Sequence, residues 1–134
     1  MKTEDAKVII PNNLAVPPEP HEIEAAWIIA LHYHQTIEFL KPVDDYKRKT
    51  PDFIMGGAEW EMKAPEGNSK TTIGRILQRA SWQSKNIVVD CRRTTLPEEV
   101  IRRTLLFELG KRQQIKKLIL ITKDKKVLEL QWHT

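Results

Sequence analysis

The stretch that decides the fold runs from Thr50 to Lys63 and reads TPDFIMGGAEWEMK. Two short runs of strand-forming residues flank Gly56-Gly57, and glycines supply the positive φ that a two-residue hairpin turn requires. A turn this tight predicts that Met55 pairs with Ala58. Counting outward gives the rest of the register: Ile54 opposite Glu59, Phe53 opposite Trp60 and Asp52 opposite Glu61.

This register brings two carboxylates to one place. Directly opposed residues have Cβ atoms about 5 Å apart, where like charges are destabilising. Side chains alternate across a strand, so Glu61 and Lys63 share a face with Asp52, whereas Trp60 and Met62 lie on the other face. Three interpretations fit the acidic pair: a solvated strand face, a protonated carboxyl, or a divalent cation with oxygen ligands from both strands. A lysine beside a cation can orient a water and steady negative charge on a phosphate.

Composition limits the classes of protein to which the chain can belong. Its 134 residues suit one domain. A net charge of +4 permits a phosphate-rich partner but does not require one. Cys91 is the single cysteine, which excludes an internal disulfide and a cysteine-based zinc site. No stretch is apolar for long enough to span a membrane, and the first ten residues lack the apolar core of a signal peptide.

The beginning of the chain is rich in proline. Residues 1–20 are expected to form an extended lead-in, in which Val8 to Ile10 can pair as a short edge strand, and residues 21–134 are expected to form a single domain. His21 to His34 has the first helical pattern. Its predicted core stripe consists of Ile23, Trp27, Ala30 and Leu31, and Ala26 and Ile28 widen it.

The rest of the chain alternates strands and helices. We expect a loop over Lys41–Lys49, with strands and helices before and after it in the sequence. A capping box of Thr95 and Glu98 predicts the start of the last helix, and Gly110 predicts its end. The predicted fold is α/β: a mixed central sheet, a β-hairpin that carries the acidic pair, and helices on both faces. The predicted elements are strand Thr36–Leu40, helix Lys70–Lys85, strand Asn86–Asp90, helix Thr95–Leu109, strand Leu118–Thr122 and strand Val127–Trp132.

The helix after the hairpin carries a second candidate site. Ile73, Ile76 and Leu77 face the core, and the opposite side is basic. The basic face suits the phosphate backbone of a nucleic acid, with one base stacked on the indole of a tryptophan. A solvated helix face with a half-buried tryptophan explains the same pattern. Gln83 could instead turn back toward the acidic pair. The remaining candidate nucleic-acid-binding residues are Arg75, Gln78, Arg79, Trp82 and Lys85.

Two short motifs and the order of elements resemble a known superfamily. Pro51-Asp52 followed by Glu61-Met62-Lys63 resembles the signature of the PD-(D/E)XK phosphodiesterases. That superfamily's core has the same order of helix, strands and helix as Glu22–Asp90 here. The region Ile23–Asp90 is also similar to the C-terminal tRNase domain of CdiA-type contact-dependent growth-inhibition toxins: an acidic helix, a strand, P-D-F, an E-x-K strand and a Gln-rich helix.

The resemblance implies a restriction-endonuclease-like fold and a metal-dependent nuclease. Asp52 and Glu61 would hold one or two Mg²⁺ or Mn²⁺ ions, with the Met62 carbonyl as a further ligand. Lys63 would position the attacking water. Glu24 would complete the acidic cluster, although an ordinary exposed first-turn glutamate explains it equally well.

The same resemblance favours tRNA or other RNA over DNA as the substrate, a cytoplasmic site of action and an immunity protein as partner. The alternative is a nucleic-acid-binding or protein-interaction module that keeps the fold and catalyses nothing. Metal-dependent cleavage separates these two possibilities.

Overall fold

The computed structural model describes residues 6–42 and 50–131. Residues 43–49 of the loop predicted over Lys41–Lys49 and the predicted strand residue Trp132 lie outside the described part of the chain. The described elements, in chain order, are β1 (Lys7–Ile9), α1 (Pro20–Tyr33), β2 (Thr36–Phe39), β3 (Phe53–Met55), β4 (Ala58–Lys63), α2 (Lys70–Ser81), β5 (Asn86–Asp90), α3 (Glu98–Lys111), β6 (Lys117–Ile121) and β7 (Val127–Leu130).

The seven described strands form one mixed sheet in the order in which they occur along the chain. The pairs β1–β2, β4–β5 and β5–β6 are parallel, and the pairs β2–β3, β3–β4 and β6–β7 are antiparallel. The parallel pairs β4–β5 and β5–β6 are each joined by a crossover helix, as parallel connections require. The predicted mixed α/β sheet is confirmed.

Two apolar cores lie on opposite faces of this sheet. Along β5, Val88 belongs to the core under α1, whereas Ile87 and Val89 belong to the core under α2 and α3. This alternation is the period of two that a strand covered on both faces requires. Helices therefore pack on both faces, as the sequence predicts.

The hairpin has the register that the sequence predicts over its three described pairs. Met55 pairs with Ala58, and Phe53 pairs with Trp60. Gly56 and Gly57 have φ of 60° and 76°, the two positive values that a type I′ turn needs. The rings of Phe53 and Trp60 stack at 6.3 Å between centroids with 4° between their planes. The ladder thus ends at Phe53, one residue after Asp52.

The face that helix α1 presents to the core overlaps only in part with the predicted one. Its buried residues include Ala26, Ile29 and Ala30, while Trp27 and Leu31 are exposed. A face built on alanines lets the helix lie close to the sheet, because short side chains keep the two backbones near each other and the interior stays closely packed. The prediction was right about Ala26 and Ala30 and wrong about Trp27 and Leu31.

The boundaries of α2 and α3 also differ from the prediction. Helix α2 ends at Ser81 rather than Lys85. Helix α3 begins at Glu98 after Pro97, so Thr95 is not its cap. The Thr95 hydroxyl instead donates to the Gly67 carbonyl at 3.0 Å, because the loop after β4 runs alongside this segment. Gly110 lies inside α3.

Candidate active site

Asp52 and Glu61 meet where β3 begins beside β4. The main-chain N–H of Met62 donates to Oδ2 of Asp52 at 2.8 Å, which fixes the aspartate against β4. Glu61 is only 2% exposed. Its Oε2 lies 2.9 Å from Nζ of Lys63, and its buried Oε1 has no hydrogen-bond partner among the described residues. The structure therefore brings Asp52, Glu61, Met62 and Lys63 together.

The acidic pair is held in an environment that disfavours two negative charges. Burial, with the neighbouring Asp52 carboxylate as a second cause, raises the pKa of Glu61 to about 7. Burial also raises the pKa of Asp52, although the Met62 N–H and Lys63 oppose that shift. The burial of Glu61 is incompatible with a solvated strand face. A bound proton and a bound cation remain as the two ways to satisfy the pair.

Helix α1 places Glu22, rather than Glu24, on the cavity that Asp52 lines. Glu22 and Asp52 line the same cavity of about 260 Å³, and the negative charge of Glu22 contributes to the raised pKa of Asp52. Glu24 instead pairs with Arg92 and lies 3.4 Å from Nζ of Lys125. Residues two apart on a helix differ by about 200° in direction, so the two acids cannot face the same way.

The sequence carried one signal that could have identified Glu22. Pro20 starts the helix, and Glu22 occupies the third helical position, where its Oε1 accepts from the main-chain N–H of Glu19 at 2.8 Å. This capping contact fixes the Glu22 side chain at the N-terminal end of α1. Its other oxygen, Oε2, makes no hydrogen bond with a described residue.

The donor set fits a divalent cation in chemistry. Within residues 6–42 and 50–131, no three His, Cys, Asp or Glu side chains form a ready-made metal cluster. Nevertheless, the unpartnered Oε1 of Glu61 is an acceptor that needs a positive charge or a proton. Mg²⁺ is held in many proteins by one or two carboxylates, with waters filling its other positions. Asp52, Glu61 and the Met62 carbonyl satisfy that requirement.

The basic residues predicted on α2 lie on its outer surface. Arg75, Gln78 and Arg79 are exposed on the helix, whose buried side packs on the sheet through Ile73 and Leu77. The residues after the helix continue this surface, with Trp82 71% exposed and Lys85 also exposed. Gln83 is half-buried, and its side chain makes no hydrogen bond with the acidic pair or with any other described residue.

A family model described as the contact-dependent growth inhibition CdiA C-terminal domain matches residues 49–127. The chain belongs to this family. The matched part of this CdiA C-terminal domain contains the hairpin and α2, and α1 with Glu22 precedes it. No curated protein sequence matches the chain.

This CdiA C-terminal domain is also similar to a solved structure described as the CdiA-CT/CdiI toxin and immunity complex from Burkholderia pseudomallei. The similarity covers 92% of this chain and 98% of the other, with a TM-score of 0.64 and 17% sequence identity. At that identity the likeness concerns the fold. No helix in the described part of the chain is long and apolar enough to cross a bilayer.

Proposed function

We propose that this CdiA C-terminal domain is a toxin effector that cleaves phosphodiester bonds with a divalent cation, as a nuclease of the PD-(D/E)XK type. The observation that carries the proposal is the buried Oε1 of Glu61, to which no donor among the described residues gives a hydrogen bond, together with the neighbouring Asp52 carboxyl, whose pKa is also raised. A buried acceptor of this kind is costly unless something binds it. Perturbed carboxyls of this kind are concentrated in active sites.

The chain's own residues divide the work. Asp52, Glu61 and the Met62 carbonyl would hold Mg²⁺ or Mn²⁺, and Glu22 would bind one of its waters. The cation, when bound, supplies positive charge against the scissile phosphate. Lys63 is fixed by its contact with Glu61, so its ammonium can donate to the attacking water and orient it. Glu24 has no direct part in this arrangement, because its carboxylate is engaged by Arg92.

RNA, and tRNA in particular, is the substrate that we favour, with DNA second. The preference for RNA rests on the resemblance to CdiA-type tRNase domains. Support for a nucleic-acid substrate of either kind comes from the exposed basic surface of α2 and of the residues that follow it, where Arg75, Arg79 and Lys85 can contact phosphates and Trp82 can stack on a base. An immunity protein is the protein partner that we propose, because the similar Burkholderia structure is a toxin and immunity complex.

Purified protein incubated separately with tRNA, single-stranded RNA and duplex DNA tests this function. Each substrate is presented with Mg²⁺, with Mn²⁺ and with chelator, and Glu61→Gln serves as the matched inactive variant. We expect cleavage of RNA that chelator and Glu61→Gln both abolish. Tight binding of all three substrates without cleavage would instead identify a non-catalytic module.

A further inference from the structure

Arg92 forms a cluster of contacts that the proposed chemistry does not use. It lies just after β5, whose last residue, Asp90, is fully buried. The Arg92 guanidinium donates from Nε to Oδ1 of Asp90 at 2.9 Å and from Nη2 to Oδ2 at 2.8 Å. The main-chain N–H of Arg92 also donates to Oδ1 at 3.1 Å. Asp90 therefore fixes both the side chain and the backbone of Arg92.

The same guanidinium reaches the first turn of α1. Nη2 of Arg92 donates to the carbonyl oxygen of His21 at 2.9 Å, and Nη1 pairs with the carboxylate of Glu24. The His21 carbonyl belongs to the peptide group that ends at the nitrogen of Glu22. Arg92 thus holds the peptide plane that ends at Glu22, whose side chain lines the cavity that Asp52 also lines.

These contacts close a ring around the candidate active site. Asp52 is bonded to the N–H of Met62 on β4, and Met62 pairs with Val88 on β5. Strand β5 leads to Asp90, and Arg92 joins Asp90 to α1. Helix α1 returns through Glu22 to the cavity that contains Asp52.

We propose that Arg92 is a positioning residue that sets the distance between Glu22 and the Asp52–Glu61 pair. The proposal rests on the function proposed above, because the position of Glu22 matters only if the acidic cluster binds a cation. The Arg92 side chain is 11% exposed, so solvent and salt screen its charge-assisted hydrogen bonds weakly.

Lysine cannot replace this arginine. Arg92 uses three separate nitrogens, pointing in different directions, to reach Asp90, His21 and Glu24. A lysine offers one nitrogen and cannot span all three acceptors at once. Arg92→Lys therefore keeps the positive charge but loses the contacts that join Arg92 to the first turn of α1.

The test compares wild type, Arg92→Lys and a matched control, Arg112→Lys. Arg112, the residue after α3, donates from Nη2 to Oε1 of Glu108 at 2.8 Å, so the control removes an arginine–glutamate contact elsewhere in the fold. Mn²⁺ affinity is measured by electron paramagnetic resonance without substrate, and RNA cleavage is measured with Mg²⁺ well below the Tm of each variant.

For Arg92→Lys we expect Mn²⁺ affinity and kcat each to fall about 10-fold or more, the size typical of residues that orient metal ligands, with KM for RNA unchanged. Arg112→Lys should lower neither. In a Glu22→Ala background, Arg92→Lys should cause no further loss of Mn²⁺ affinity, because the two residues act through one contact. Equal Mn²⁺ affinity in wild type and Arg92→Lys, or additive losses in the double variant, would overturn the proposal.

A folding defect is controlled with a second variant, Asp90→Asn combined with Arg92→Met. This double substitution removes the hydrogen bond to the His21 carbonyl. It leaves no unpaired charge at the buried Asp90 position, and such an unpaired charge would be strongly destabilising. It should show the same loss of Mn²⁺ affinity as Arg92→Lys, and an affinity equal to wild type would contradict the role of Arg92. If wild type binds no Mn²⁺ and cleaves nothing, the proposed function fails and this inference fails with it. If wild type does both and the Arg92 variants match it, the inference alone fails.

Discussion

The metal-free protein should become less stable as the pH rises from about 4.5 to about 7, and Glu61→Gln should remove most of that loss. The cause is the Glu61 carboxyl, whose pKa lies at about 7 in the folded protein and near its ordinary value of 4.5 in the unfolded chain. Between these two values the folded state binds more protons than the unfolded state. Stability therefore falls as the pH rises through this window.

The magnitude follows from the difference between the two pKa values. Each unit corresponds to about 1.4 kcal/mol, so the free energy of unfolding should fall by on the order of 3 kcal/mol across the window. For a domain of this size, the loss corresponds to about 10 °C in Tm. Asp52 adds to the loss in the same direction, because burial raises its pKa as well.

The assay is thermal unfolding, followed by circular dichroism in chelator at a series of pH values. The matched control is Glu59→Gln, which makes the same change of charge at an exposed position on the same strand. Wild type and Glu59→Gln should lose Tm with parallel slopes, and Glu61→Gln should keep only the smaller loss that Asp52 causes. A wild-type Tm that rises over this range, or an unchanged slope in Glu61→Gln, would refute the reasoning.

Two further predictions concern metal and substrate. Mg²⁺ at about pH 8 should raise the Tm of wild type, because a concentration of 100 times the Kd adds about 2.7 kcal/mol to the free energy of unfolding. Asp52→Asn should lose most of this stabilisation and should have a higher metal-free Tm than wild type. A wild-type Tm that millimolar Mg²⁺ does not change would contradict the site. Joint replacement of Arg75, Arg79 and Lys85 by alanine should reduce the salt slope of RNA binding by about 2, and Trp82→Ala should weaken binding by about 1–3 kcal/mol without changing that slope. An unchanged salt slope in the triple variant would assign the outer surface of α2 to solvent.

The hairpin could be predicted from the sequence because its geometry is set locally. The Gly56-Gly57 turn fixes the pairing, and the pairing brings Asp52 beside Glu61 without information from the rest of the chain. The alternation of β4 then places Lys63 on the side of Glu61, where the 2.9 Å contact is found.

The contribution of α1 could not be predicted in the same way. Which face of a helix meets the core depends on the fit of its side chains against the sheet, and here small alanines pack inward while Trp27 stays exposed. An error about which face of α1 is buried also changes which glutamate is expected to face the acidic pair. The sequence pointed to Glu24, whereas Glu22 lines the same cavity as Asp52. The contacts of Arg92 with α1 could not be predicted either, since Arg92 and His21 are 71 positions apart in the sequence.

The degree to which Glu61 is buried also escaped prediction. Alternation shows which face the side chain occupies, but its low exposure depends on the elements that pack over that end of β4. Burial converts an acidic strand residue into a carboxyl with a raised pKa and an unpartnered oxygen. The chemistry of the site is therefore a product of the tertiary fold.

The measurement that tests the central claim most directly is the cleavage of RNA by Lys63→Ala beside its stabilisation by Mg²⁺. Lys63 is proposed to act on the attacking water rather than on the cation, so its removal should abolish most cleavage and leave most of the Mg²⁺-induced rise in Tm. Glu61→Ala should lose both properties. Lys63→Arg should not restore cleavage, because a guanidinium donates as a rigid planar fork and cannot direct a single N–H at the water as an ammonium does. Cleavage by Lys63→Ala at the wild-type rate would contradict the account.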